Sequence, residues 1–442
     1  MACDIATLEA HVRRLLDRIL SDDPLIRAMS YQSVLSAFGE GAFLTGSAVY
    51  FTQVVGLSAA QVGLGMTTAG VAAFLLAVPL GKATDRVGTR RSWLLGSLIQ
   101  AMLFLAWLAV RGVAAYVVVV VVLELAETWM RAGRNAYRLE IFPRDQRVRS
   151  NASMRAARNV GYTLGALASG LALAADSDTL VRAVPVVTAA ILLVNVVMVG
   201  RLPKRRSPAP GAPLEALGEA VGHAKDRRSA LRNRGFLLAT FFDGVLGTHQ
   251  VLLNVVIPLW LVEETDAPRV LLAWLFGTNT VMAVLLQVAA ARGVADVTTS
   301  LRAERRGAAC FVVSCAIVLV THDTVGWLTI ALVWLGHVTV TGSELFQSAG
   351  QWGIQAELSD PARRGEYQGV AQLGYTLGTV WAPAAYTFLA MHWGAPGWIL
   401  IAGIIVVAAA AIAPSARAAE RYLAGDSIGD PTRAPIKPLE PA

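Results

Sequence analysis

Charged residues are scarce in this chain: Asp, Glu, Lys and Arg make up 16% of its 442 residues, where soluble domains carry about 25%. Hydrophobic residues make up 55%, and the mean hydropathy is +0.53. That excess is too large for one water-soluble core and points to a bilayer as the sink for apolar surface. Cysteine is rarer still. Cys3, Cys310 and Cys315 exclude a disulfide framework, and the last two sit in one apolar run as small buried side chains. No G-x-x-x-x-G-K-[ST] run occurs, which argues against ATP-driven pumping. H-E-x-x-H, paired C-x-x-C and G-x-S-x-G are also missing, so neither an enzyme nor a resident cofactor or metal is expected. A cleavable signal peptide is not expected either. Residues 1–27 instead repeat Ile5, Leu8, Val12, Leu15, Leu16 and Ile19 at helical spacing, as in an amphipathic segment lying on a membrane surface.

What the chain does have is long apolar runs. A membrane-crossing helix needs about 20 mainly apolar residues. Twelve runs qualify: 28–53, 60–81, 92–110, 113–134, 157–175, 181–200, 235–261, 270–291, 307–321, 325–346, 366–390 and 396–413. With both termini inside, 35 of the 38 Lys and Arg fall in inner segments, and only Arg111, Arg182 and Arg269 fall outside. This is the positive-inside asymmetry of a multi-pass protein of the cell membrane. It also accounts for the net charge of +7 without nucleic acid as a partner. The expected layout is a cytoplasmic segment 1–27, a six-helix bundle 28–200, a basic cytoplasmic linker 201–234 with a surface helix over 214–232, a second bundle 235–415, and a disordered cytoplasmic tail 416–442.

The two bundles repeat each other. Gly161-Tyr162-Thr163-Leu164-Gly165 recurs as Gly374-Tyr375-Thr376-Leu377-Gly378. Glu127, Ala132, Gly133 and Glu140 match Glu344, Ala349, Gly350 and Glu357. Phe38-Gly39-Glu40-Gly41 resembles Phe241-Phe242-Asp243-Gly244, and Asp85 corresponds to Asp296. The matches keep their order, so spans 1–6 and 7–12 read as parallel repeats of one unit. Transporters with such repeats bind substrate where the halves meet.

The loop after the second span, Gly81-Lys82-Ala83-Thr84-Asp85-Arg86-Val87-Gly88-Thr89-Arg90-Arg91, resembles the signature loop of the major facilitator superfamily. Gly81, Asp85, Arg86, Gly88, Arg90 and Arg91 match the pattern; Ala83 and Thr89 depart from it. The resemblance implies an all-α integral membrane fold of twelve transmembrane helices in two repeat-related bundles around a central cavity. Glu140 resembles the family's acidic partner for this loop, so Asp85, Arg86 and Glu140 are expected to form a cytoplasmic gate network. The alternative is a loop whose basic residues only fix topology. The family's antiporter pattern in span 5 is degraded, with Ala166 at the place of proline.

Ionisable groups inside spans are costly and mark function. Glu40 lies on a stripe with Gln32, Ser36, Gly39, Phe43, Ser47 and Tyr50; Asp243 lies on another with Gly247, Gln250 and Asn254. Both are candidates for proton coupling or substrate contact, as are Glu124, Glu127, His337 and Glu344, with His249 a further one. The other reading of Glu40 is a carboxylate satisfied by hydroxyls or a nearby cation. Glu127 and Arg131 are four residues apart and within pairing reach. Trp334, Trp352 and Trp381 fall in spans that could line a cavity.

Together these features imply a secondary transporter for a small molecule, expected as a monomer with protons and lipid as its other partners. Proton-coupled efflux of an amphipathic organic compound is the first reading. A proton-coupled uptake symporter of a polar metabolite is the second, and a non-transporting receptor or scaffold on the same fold the third.

Overall fold

The computed structural model describes residues 23–174, 178–203 and 228–424. Among these it is helical throughout, without strands. We label the helices α1 Pro24–Val49, closing in a π turn Tyr50–Val54; α2 Ala59–Val87; α3 Thr89–Ala106; α4 Gly112–Ile141; α5 Arg147–Ala174; and α6 Asp178–Arg201. The second set is α7 Arg234–Glu263, α8 Leu271–Ala290, α9 Val297–Leu319, α10 Trp327–Glu357, α11 Arg364–Trp393 and α12 Ala395–Ala424. Every predicted span falls on one of these helices. Eight of them are long and apolar enough to cross a membrane by length and composition. The four that miss this criterion are α1, α5, α9 and α11.

Glycine sets how the helices approach. A Cβ built at Gly161 of α5 would lie 2.1 Å from the Val34 carbonyl oxygen of α1. A Cβ built at Gly374 of α11 would lie 2.2 Å from the Thr240 carbonyl oxygen of α7. The repeated pentapeptide thus does the same work twice: it lets the fifth helix of each half press its backbone on the first.

Several boundaries differ from expectation; α5, for one, begins at Arg147, ten residues before its predicted span. α7 is interrupted at Gly247 and Thr248 and resumes through a π turn at Leu252–Val256. There Thr248 Oγ1 donates to the Val245 carbonyl at 2.6 Å, satisfying a group the broken ladder leaves open. α12 runs on to Ala424, so residues 416–424 of the expected disordered tail are helical. Buried Ala416 and Ala419 explain this, because they pack against the start of α7. α9 begins at Val297, ten residues before its predicted span, capped by Asp296. Of the expected segment 1–27, residues 1–22 lie outside the described residues, as does the tail from 425; of the expected surface helix 214–232, residues 214–227 lie outside them and 228–232 hold only the short 3₁₀ turn Ala230–Arg232.

Candidate substrate cavity and gate

Between the halves lies a cavity of about 420 Å³, walled by α1, α4 and α5 on one side and by α7, α10 and α11 on the other. Its size suits a small molecule. Its wall is strongly polar. Arg131, Arg134 and Arg138 follow one another at spacings of three and four, which places all three on one face of α4. Arg155 and Arg158 come from α5. The opposite wall offers the amides of Gln250, Gln351, Gln355, Gln368 and Gln372 and the hydroxyl of Tyr375, which donates to Gln250 Oε1 at 2.9 Å.

Three of the arginines meet carboxylates set behind the wall. Arg131 Nη2 is 3.0 Å from Glu127 Oε1, and Gln100 donates to the other Glu127 oxygen at 2.5 Å. Arg158 Nη2 is 2.5 Å from Glu40 Oε2, and Ser36 Oγ approaches Glu40 Oε1 at 3.5 Å. Arg155 Nη2 is 2.6 Å from Glu344 Oε1, joining α5 to α10 across the halves, and Asn279 Nδ2 donates to Glu344 Oε2 at 2.9 Å. Charge-assisted bonds of this kind hold side chains firmly.

The other candidates lie elsewhere. Asp243, the repeat mate of Glu40, has no cation beside it among the described residues. It accepts from Gln347 Nε2 at 2.6 Å and Gln351 Nε2 at 2.7 Å, with the buried Glu304 of α9 as its neighbour. Glu124 is half-buried on α4 and does not reach the cavity wall. His337 is buried within α10 away from the wall, and His249 Nδ1 lies 3.1 Å from the Gly247 carbonyl. Of the tryptophans only Trp352 reaches the cavity. Trp334 donates to Thr278 at 3.0 Å, and Trp381 meets Tyr386 edge-on at 5.3 Å.

Beside the cavity, the end of α2 that carries Gly81 packs against the start of α11. A Cβ built at Gly81 would sit 2.3 Å from the Gly365 carbonyl oxygen, and one at Gly369 would sit 2.5 Å from that of Ala77. Gly70 lies two turns along the same face of α2, and a Cβ there would meet nothing within 4 Å. The helices therefore touch at this end and diverge toward the other. Asp85 lies at the contact. Its two carboxylate oxygens accept from the backbone N–H of Gly365 at 2.7 Å and of Glu366 at 2.9 Å, where α11 begins. A helix N-terminus leaves such donors open and carries a partial positive charge. Glu366 is buried beside it, within 2.9 Å of Arg363 and 4.0 Å of Lys82, and accepts from Ser229 at 2.6 Å. Arg144, after α4, pairs with Glu357 of α10 and ties the halves at the same end.

The remaining loop residues serve the first half. Glu140 accepts from Thr89 Oγ1 at 2.7 Å, and Arg90 Nε donates to the Val199 carbonyl at 3.2 Å. Gly88 joins α2 to α3 at φ +99°, a conformation side chains other than glycine's rarely adopt. Arg86 and Arg91 are exposed, without an ion pair among the described residues. The expected contact of Glu140 with Asp85 or Arg86 is not among those the structure gives.

Sequence reasoning passed over two groups. Arg134, Arg138, Arg155 and Arg158 count in the sequence only as inner-side charge at the ends of the fourth and fifth spans, although their three- and four-residue spacing marks a helix face. Gly365 and Glu366 carried no signal, because their role depends on a residue 280 positions away.

Solved structures share this architecture at low identity. A bacterial homologue of the iron transporter ferroportin in its outward-facing state superposes with a TM-score of 0.64 at 14% identity, covering 91% of this chain and 100% of that one. The proton:xylose symporter XylE gives 0.64 at 12%, covering 88% and 95%. The human organic anion transporter MFSD10 (TETRAN) gives 0.61 at 14%, covering 88% and 100%. No curated protein matches by sequence. The family model of the Major Facilitator Superfamily matches residues 30–351. With its apolar helices, its paired halves and that match over most of its length, the chain belongs to the Major Facilitator Superfamily of membrane transporters.

Proposed function

We propose that this chain carries a polar small molecule across the cell membrane by alternating access, coupled to proton movement. The observation that carries the reading is the polar cavity at the joint of two repeat-related halves, with one end closed by contacts that can be made and broken. The distribution of basic residues supports placing both termini, the 201–234 linker and the Asp85 end in the cytoplasm, so the cavity is then sealed from that side. Export of an amphipathic compound draws less support, since five arginines and several amides make up the wall and one tryptophan reaches it.

Carboxylates supply the coupling. Protonation of Glu40 removes the charge that holds Arg158, and protonation of Glu344 frees Arg155 from the other half. Asp243 and Glu304 offer a second place for a proton to be taken up and released. The twelve predicted spans each cross the bilayer on this reading.

The test is proton flux and solute flux measured together in reconstituted vesicles under pH gradients of either sign. Solute movement that follows the gradient, with a proton-to-solute ratio altered in Glu40→Gln, is the expected result. Solute flux indifferent to the gradient would remove proton coupling. An unchanged ratio in Glu40→Gln would move the role to Asp243, Glu124 or Glu127.

A further inference from the structure

Five guanidinium groups line the cavity, and no Asp or Glu is among the residues that line it. Glu127, Glu40 and Glu344 reach Arg131, Arg158 and Arg155 from behind the wall. That leaves Arg134 and Arg138 without an ion pair or side-chain hydrogen bond among the described residues, and the Nε of each is buried without a partner. Arg134 is only 8% exposed. Glu127 and Glu40 act on Arg134 only beyond pairing distance, and the charges that act on Arg138 are the arginines Arg134 and Arg158; charges so weakly compensated are costly to bury, and a chain that only had to fold would do better with neutral side chains there.

We propose that Arg134 and Arg138 are the binding site for an oxyanion group, a carboxylate or a phosphate, of the transported solute. The two lie one turn apart on the same face of α4, so their planar donor forks can converge on one anionic group. The second half contributes no cation to the wall; its polar groups there are amides and the Tyr375 hydroxyl, beside Trp352 and Ala371, which suit the uncharged remainder of the ligand. A small organic acid or phosphate ester would thus be held by charge on the first half and by neutral hydrogen bonds on the second. Such a ligand touches both halves at once, which lets its binding favour one arrangement of the halves over the other.

That the ligand is a transported solute rests on the function proposed above; that an anion binds does not. The test therefore reads binding apart from transport. The full chain in neutral detergent and low-salt buffer is unfolded thermally with succinate, with inorganic phosphate, and with tetraethylammonium or glucose as controls. Succinate or phosphate should raise the midpoint with increasing concentration, and the controls should not. A response to only one of the two anions names the head group. In the Arg134→Gln/Arg138→Gln double variant the anion response should weaken about tenfold or more, while the ligand-free midpoint stays equal or rises, because an unpaired charge has gone. Should the double variant not fold, Arg138→Gln alone carries the same reading. No response of the wild type to either anion at millimolar concentration overturns the site, as does a full response in the variant. Flux of a neutral or cationic solute in vesicles with no anion binding also overturns the site and leaves the transporter standing. Anion binding without flux under any gradient keeps the site and overturns the coupled-transport reading.

Discussion

The Asp85 carboxylate lies 2.7 Å from the backbone nitrogen of Gly365, so the last turn of α2 in one half caps the start of a helix in the other. Its repeat mate Asp296 does something different. It accepts from Thr299 N at 2.7 Å and caps α9 within its own half, and that hydrogen bond keeps its carboxyl below the ordinary aspartate range. One motif position bonds across the halves in the first repeat, as the proposed latch requires, and caps a helix within its own half in the second.

Asp85→Asn keeps the shape but loses the charge and one of the two acceptors. The closed end should be weakened by about 1–2 kcal/mol, the low end for bonds to a charged group at a surface. In a cysteine-free background, a cysteine at Gln355 should then be labelled several-fold faster from the cytoplasmic side, with global stability little changed. Asp296→Asn should leave that rate alone and lower the melting temperature instead. Equal labelling in wild type and Asp85→Asn would remove Asp85 from the latch.

Gly81→Leu should block closure, since its Cβ would start 2.3 Å from the Gly365 carbonyl oxygen. Overpacking of this kind costs about 1–3 kcal/mol where neighbours can shift. Here the relief is separation of α2 from α11, so transport should fall at least roughly tenfold. Gly70→Leu, on the same face where the helices have diverged, should transport normally and serves as the control. Vesicle uptake by the two variants, beside circular dichroism to show retained helix, decides the matter.

Glu344 and Arg155 are coupled across the halves. A double-mutant cycle with Glu344→Gln and Arg155→Gln, read by thermal unfolding, should give a coupling of about 2 kcal/mol. The single change Glu344→Gln should be the worse of the pair, because it leaves Arg155 charged beside Arg158 in the cavity wall. A coupling near zero would mean the pair is screened by water in the cavity.

Gly235→Val tests the unexpected length of α12. Its Cβ would lie 2.2 Å from the Ala419 backbone nitrogen, so the variant must part α7 from α12. A loss of about 1–3 kcal/mol is expected in urea unfolding. Wild-type stability would show that the 416–424 turns do not pack on α7.

The membrane class, the helix at each predicted span, the repeat and the signature loop were all legible in the residues. Hydrophobic run length, loop charge and motif spacing are local properties, and the bilayer acts on them locally. The spacing of Arg131, Arg134 and Arg138 even defined a face of α4. What that face looks at was not legible. Helical periodicity says which side chains stand together, but whether they meet lipid, water or another helix depends on how the helices pack. Counted as inner-side charge, these arginines explained topology, and Arg131 its pairing with Glu127; packed between the halves, they wall a cavity in which Arg134 and Arg138 have no ion pair among the described residues. The same limit applies to Glu40 and Asp243. Sequence made them equivalent by position in the repeat, while the fold set Arg158 beside one and Gln347, Gln351 and Glu304 beside the other. The residues by themselves showed a multi-pass membrane chain built of two like halves. Tertiary structure decided the partners of these charges, because they come from different helices: Arg158 of α5 beside Glu40 of α1 within the first half, Gln347, Gln351 and Glu304 beside Asp243 within the second, and Arg155 beside Glu344 only where the halves meet.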